Sequence, residues 1–135
     1  MVKGMWNYAV KVPNVEAATE FYVTCLGADL RVRSSVLGSE FALIRIGDTR
    51  VILFDKAPYE DAMGWDLPMG FLHVVYEVGD FEETVATVRA SGVQIIMEPT
   101  LIEHEDFGKR WVCFFVSPDG VRTEVMEILE DAGKA

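Results

Sequence analysis

The apolar and polar positions of this chain run through one pattern twice. Residues 7–22, NYAVKVPNVEAATEFY, and residues 73–88, HVVYEVGDFEETVATV, align without a gap. Each stretch opens with period-two alternation, turns a two-residue corner, and shifts to helical period at an Asn or Asp. Two similar units that are each too small to bury a core must pack together, and the groove between them is the expected place for a site.

The first predicted strand is Trp6–Val12. Alternation puts Asn7, Ala9 and Lys11 on one face and Tyr8, Val10 and Val12 on the other, the second face meeting the helix. Asn14 is the expected N-cap, and Val15, Ala18, Phe21, Tyr22 and Cys25 mark the apolar stripe of a helix that Gly27 closes. Strands are predicted at Leu30–Val36, Phe41–Ile46 and Arg50–Phe54. The segment Asp55–Gly70, with Pro58, Gly64, Pro68 and Gly70, has no sustained period and reads as a connector. The pattern then restarts. Phe71–Val78 is a strand with His73, Val75 and Glu77 on one face. Asp80 caps a helix with Glu83 at the capping-box position, Phe81, Val85 and Val88 form its buried stripe, and Gly92 ends it. Val93–Met97, Trp111–Val116 and Val121–Leu129 are the last strands, and the polar tail Glu130–Ala135 is expected to fray. Each half reads β-α-β-β-β. The expected organisation is one domain, 1–135, built of module 5–56, connector 57–69 and module 70–130.

Composition narrows the classes. The chain has 135 residues, half of them hydrophobic and a quarter charged, which is globular composition. No apolar run approaches the roughly 20 residues that span a bilayer, and no signal-peptide pattern is read at the start. A net charge of −10 argues against nucleic acid or an anionic membrane as partner. Cys25 and Cys113 belong to no metal spacing and read as reduced core thiols, which suits a cytoplasmic protein.

Three local signatures then carry a resemblance. The strand-to-helix openings Asn7–Tyr22 and His73–Val88 are of the type HVxxxVxDxxxxxxFY. Phe107-Gly108-Lys109-Arg110 matches a (W/F)GxR entry to the penultimate strand. Ser117-Pro118-Asp119-Gly120-Val121-Arg122-Thr123-Glu124-Val125 matches a closing DPDGxxxEL, the most specific of the three. With the repeat, they make the chain resemble the vicinal oxygen chelate superfamily of glyoxalase I, bleomycin-resistance proteins, fosfomycin-resistance enzymes and extradiol dioxygenases. The resemblance implies an α+β fold, two tandem βαβββ modules forming a cleft-enclosing, barrel-like paired sheet.

It also implies where ligands would stand. In metal-using members they come from the first and last strand of each unit, and the matching positions are Asn7, Ile52, His73 and Glu124. Ile52 cannot coordinate, so a four-ligand glyoxalase I site is broken, and anionic glutathione conjugates suit an acidic protein poorly. A three-ligand metal set, Asn7, His73 and Glu124, remains, with open positions for substrate. Asn7 stands where those families have His. Its amide oxygen is a harder, weaker donor, which shifts preference from Zn²⁺ or Ni²⁺ towards Mn²⁺ or Mg²⁺. The implied cofactor is a divalent metal, Mn, Fe, Zn or Ni, with no nucleotide. Glu124 is the catalytic candidate, as ligand and proton shuttle. His104, in Glu103-His104-Glu105-Asp106, reads as part of a solvated loop, with a mobile lid as the lesser alternative. Ile52, Phe54, Trp111, Phe115 and Met126 are the candidate ligand-binding residues.

Two functions follow as expectations. One is a divalent-metal-dependent enzyme acting on a small oxygenated substrate, of lyase, isomerase or dioxygenase type. The other is a metal-free protein that sequesters a hydrophobic or cationic small molecule, as bleomycin-resistance proteins do. By resemblance the partner is a second copy of the chain, a homodimer in which Asn7 faces His73 and Glu124 of the other subunit.

Overall fold

The computed structural model describes residues 1–135 and is α+β, with eight strands, two helices of ten or more residues and one short helix. The chain divides into two compact units. The N-terminal unit is Asn7–Leu72 with Lys134–Ala135, and the C-terminal unit is His73–Gly133 with Met1–Trp6.

In the N-terminal unit the elements are β1 (Val2–Lys11, its start belonging to the other unit), α1 (Val15–Leu26), β2 (Asp29–Val36), β3 (Ser39–Ile46), β4 (Thr49–Phe54) and α2 (Glu60–Met63). Strand order is β2-β3-β4-β1, with β1 parallel to β4 and the other pairs antiparallel. The helix start follows the sequence pattern. Asn14 is extended, and its side chain accepts the Ala17 amide at 2.8 Å. Gly27, at φ 69°, closes α1 in the left-handed region. The core lies between α1 and one sheet face, where Val12, Val15, Ala28, Ala42, Ile44, Val51 and Leu53 pack with Tyr8, Val10, Ala18 and Tyr22.

Two stripe residues depart from expectation. Phe21 is more than half exposed and Cys25 is exposed, so Cys25 is not a core thiol. The buried line of α1 runs Val15, Ala18, Thr19, Tyr22, because Thr19 tucks its hydroxyl onto the Val15 carbonyl at 2.7 Å and enters the core in place of an apolar residue. The connector is not structureless either, since it holds α2.

The C-terminal unit holds β5 (Gly70–Val78), α3 (Phe81–Ala90), β6 (Ile95–His104), β7 (Gly108–Val116) and β8 (Arg122–Asp131), in the order β5-β8-β7-β6 with β5 parallel to β8. Its helix packs through Phe81 and Val85 onto Val78, Cys113 and Val125. The capping box does not form. Asp80 is engaged by the N-terminal ammonium and by Thr84, while Glu127 of β8 accepts the Phe81 amide at 2.7 Å instead. A carboxylate from a neighbouring strand thus takes the role expected of the helix's own residues. Strand β6 runs on to His104 and forms a hairpin with β7, His104 pairing Gly108. His104 is therefore a strand end, not part of a lid: its Nδ1 accepts the Asp106 amide at 3.0 Å and its ring lies 5.0 Å from Phe107.

Candidate functional site

Period-two geometry sorts each strand of the C-terminal unit into two faces. Val78, Cys113 and Val125 face α3. On β5, His73 and Val75 therefore point the other way, as do Arg110, Val112 and Phe114 on β7 and Glu124 and Met126 on β8. Register aligns them: Val75 is opposite Glu124 in the parallel pair, and Phe114 and Val112 are opposite Glu124 and Met126 in the antiparallel pair. The result is a buried pair. His73 Nε2 lies 3.7 Å from Glu124 Oε1, His73 is 1% and Glu124 8% exposed, and Phe114 meets the imidazole edge-on at 5.0 Å.

Burial acts on the two groups in opposite senses. Desolvation pushes the Glu124 carboxyl up to about 8, against a weaker downward pull from Arg110. Desolvation, helped by the positive charge of Arg122, takes His73 down to about 3. At neutral pH the imidazole is therefore uncharged, the form in which it is a ligand. Arg110 is itself buried. Its guanidinium lies about 5 Å from the rings of Trp6 and Phe107 and donates to the Phe107 carbonyl at 2.8 Å and the Met126 sulfur at 3.2 Å.

Of the residues expected at the site, His73, Glu124 and Met126 share one face of one unit. Asn7, Ile52 and Phe54 belong to the other unit, each on the face turned away from α1, and all are buried. Asn7 Nδ2 donates to the Tyr8 carbonyl at 3.2 Å. Trp111 and Phe115 stand apart from the His73–Glu124 pair. They lie on the α3 side of β7 and not beside His73 and Glu124. The residue paired with Glu124 is Phe114, and period two sends its neighbours Cys113 and Phe115 to the opposite face. Trp111 stacks on Phe81 at 6.0 Å and lines a groove of about 400 Å³ with Val85, Pro99, Glu127 and Leu129. Sequence reading missed Phe114 and Arg110 as site residues. Arg110 sits inside a noted motif, but only the folded sheet brings its charge to bear on Glu124.

One imidazole and one carboxylate suit a divalent cation as donor types. No third His, Cys, Asp or Glu joins them, so the remaining coordination would fall to neutral oxygens and to substrate.

Comparison with known proteins agrees with the architecture. Residues 7–125 match the Glyoxalase/Bleomycin resistance protein/Dioxygenase superfamily, and the chain belongs to it. Among curated proteins it is similar to the lactoylglutathione lyases of Neisseria meningitidis serogroups A and B. Each is 26% identical over 121 residues, covering 87% of this chain and 86% of the relative. Among solved structures it is similar to a Streptomyces coelicolor methylmalonyl-CoA epimerase variant in complex with 2-nitronate-propionyl-CoA. The TM-score is 0.76 at 18% identity, covering 96% of this chain and 100% of that one. A methylmalonyl-CoA epimerase in complex with methylmalonyl-CoA and NH4+ gives a TM-score of 0.77 at 19% identity, covering 97% and 98%. At these identities the structural likeness establishes the fold and not the activity.

Proposed function

We propose that this protein is a divalent-metal-dependent enzyme acting on a small oxygenated organic substrate, by chemistry of the lyase, isomerase or dioxygenase type. The observation that carries the reading is the buried His73–Glu124 pair, with Nε2 and Oε1 3.7 Å apart on one sheet face. Two buried groups of complementary donor type, brought to one sheet face, are side chains that a divalent cation would take, and burying ionisable groups costs more than apolar packing. A divalent ion held there, Mn or Fe first by donor type, would polarise a substrate oxygen. Glu124 would carry a proton at the oxygen turned away from His73, Phe114 and Met126 would exclude water, and Arg110 would favour the carboxylate form. Asn7, the third donor expected from the resemblance, is left to test. Lactoylglutathione lyase activity itself is not proposed, because Ile52 is aliphatic where the resemblance implies a fourth ligand.

The test is thermal melting of EDTA-treated protein with added Mn²⁺, Fe²⁺, Zn²⁺ or Ni²⁺. At a metal concentration about 100 times Kd, linkage predicts a rise of roughly 5–10 °C. His73→Ala and Glu124→Gln should each abolish the rise, and Asn7→Ala should reduce it if its amide coordinates. One melting temperature in all samples, with no metal co-purifying, sinks the reading.

The apolar surroundings of the pair, Phe114 on the imidazole and Met126 beside Glu124, favour a second reading, metal-free binding of a hydrophobic or cationic small molecule. Ligand affinity that survives His73→Ala and Glu124→Ala but falls on Phe54→Ala would select it. In either reading a homodimer is proposed on the resemblance alone, and a monomer by sedimentation at micromolar concentration removes it.

A further inference from the structure

The segment between β4 and β5 holds a buried polar network that neither reading uses. Glu60, at the start of α2, is 2% exposed. Its carboxylate accepts the amides of Ala57 at 2.5 Å and Leu67 at 2.6 Å, and the ammonium of Lys11 at 2.8 Å. Lys11, on β1, is 6% exposed, and its Nζ donates also to the Leu67 carbonyl at 2.8 Å and to Asp66 at 3.1 Å.

These bonds are of two kinds. Those from Ala57 and Leu67 to Glu60 close residues 57–67 on themselves, as in a compact Ω-type loop. Those from Lys11 fasten the closed loop to a strand. Lys11 stands opposite Phe54 in the β1/β4 ladder, on the face turned away from α1 that also carries Ile52. The loop is therefore tied to that face through Lys11. Tyr59, itself fully buried, donates its hydroxyl to the Leu72 carbonyl of β5 at 3.4 Å, a second tie from the loop to a strand, and meets Trp65 edge-on within the loop. Lys11 is thus the side chain through which these polar bonds reach β1.

A buried ion pair adds little stability over apolar residues of the same volume, and its best-attested use is to specify one arrangement. We propose that Lys11 and Glu60 are positioning residues that hold residues 57–67 as a strap on the Ile52–Phe54 face, and that the strap opens as a unit while the strands stay paired. Opening uncovers Ile52 and Phe54 and is the route by which a small organic ligand reaches them. That last step rests on the proposed role of Ile52 and Phe54, whereas the strap itself does not.

Native-state hydrogen exchange on the full chain in low urea tests it. In the wild type, amides of 57–67 should exchange faster than those of β3 and β4, and with weaker urea dependence. Lys11→Met should speed exchange in 57–67 by at least about tenfold, the factor for one lost charge-assisted hydrogen bond, and leave β3 and β4 unchanged. Lys11→Arg, which keeps the cation and its donors, should restore most of the protection. Exchange of 57–67 in step with β3 and β4 in the wild type overturns the proposal, even if Lys11→Met fails to fold. Equal acceleration of strap and strands in Lys11→Met also overturns it, because the pair would then only stabilise the fold. Failure of the metal reading shows separately, in the melting series with added cations.

Discussion

Glu124 and His73 leave a mark on stability that does not depend on substrate. The Glu124 carboxyl moves from its ordinary 4.5 up to about 8 on folding, so between those values the folded state holds the extra proton. Stability therefore falls as pH rises through that window. His73 moves from 6.5 down to about 3, so the unfolded state holds the extra proton between those values and stability falls as pH drops. From about 4.5 to 6.5 the two slopes oppose each other and cancel, leaving a plateau with losses on both sides. In EDTA, the urea midpoint should decline from pH 6.5 to 8, and Glu124→Gln should remove that decline while keeping the acid arm. A decline that persists in Glu124→Gln would assign it to another group. The cysteines differ in the same physical way. Cys113 is buried and its thiol is raised to about 11 by desolvation, whereas Cys25 is exposed. One thiol should react with a disulfide reagent in the native state, and the second only after unfolding.

Among the elements, α1 conforms to its local signals and α3 does not. Asn14 and Gly27 bracket α1 through bonds a sequence can announce, and Asn14→Ala should cost about 1 kcal/mol by urea denaturation. At α3 the first helical N–H, that of Phe81, goes to Glu127, which is 46 residues away along the chain, and no local rule reaches that far. The β6–β7 hairpin depends on Gly108. At φ 89° a Cβ there would stand 2.0 Å from the Glu130 carbonyl oxygen, which is backbone and cannot yield. Gly108→Ala should therefore destabilise by about 3 kcal/mol or more, measured as a shifted urea midpoint without change in slope. This is the structural meaning of the glycine in Phe107-Gly108-Lys109-Arg110. The connector is the element that sequence reading described least well, because its order comes from Glu60 and Lys11, residues that look like ordinary surface charges in a polar stretch.

At the scale of the molecule, 22 acidic against 12 basic residues give a net charge of −10, which repels itself in the folded state. Raising NaCl from about 0.05 to 0.5 M should raise the melting temperature, since the Debye length falls to a few ångströms. A flat salt response would mean that the charges are locally balanced. No helix is long and apolar enough to cross a membrane. The duplicated βαβββ pattern, the start and stop of α1, the faces of β1 and β5, and the superfamily were all legible in the sequence. Each is written in period, cap or turn residues, which act over a few positions. Of the candidate site, alternation placed His73 on the face away from the helix, and the resemblance supplied Glu124. Alternation could not separate Phe114 from Trp111 and Phe115, because a one-residue change in register exchanges the two faces of a strand. Nor could it tell that Phe21 and Cys25 are exposed while Thr19 is buried. The sequence by itself determined which segments become strands and helices, since those choices follow from local sterics and hydrophobic period. The tertiary structure alone decided which side chains meet, that a desolvated carboxyl stands 3.7 Å from a neutral imidazole, and that Lys11 is sealed against Glu60. Strand register and burial are settled only when distant segments compete for the same interior.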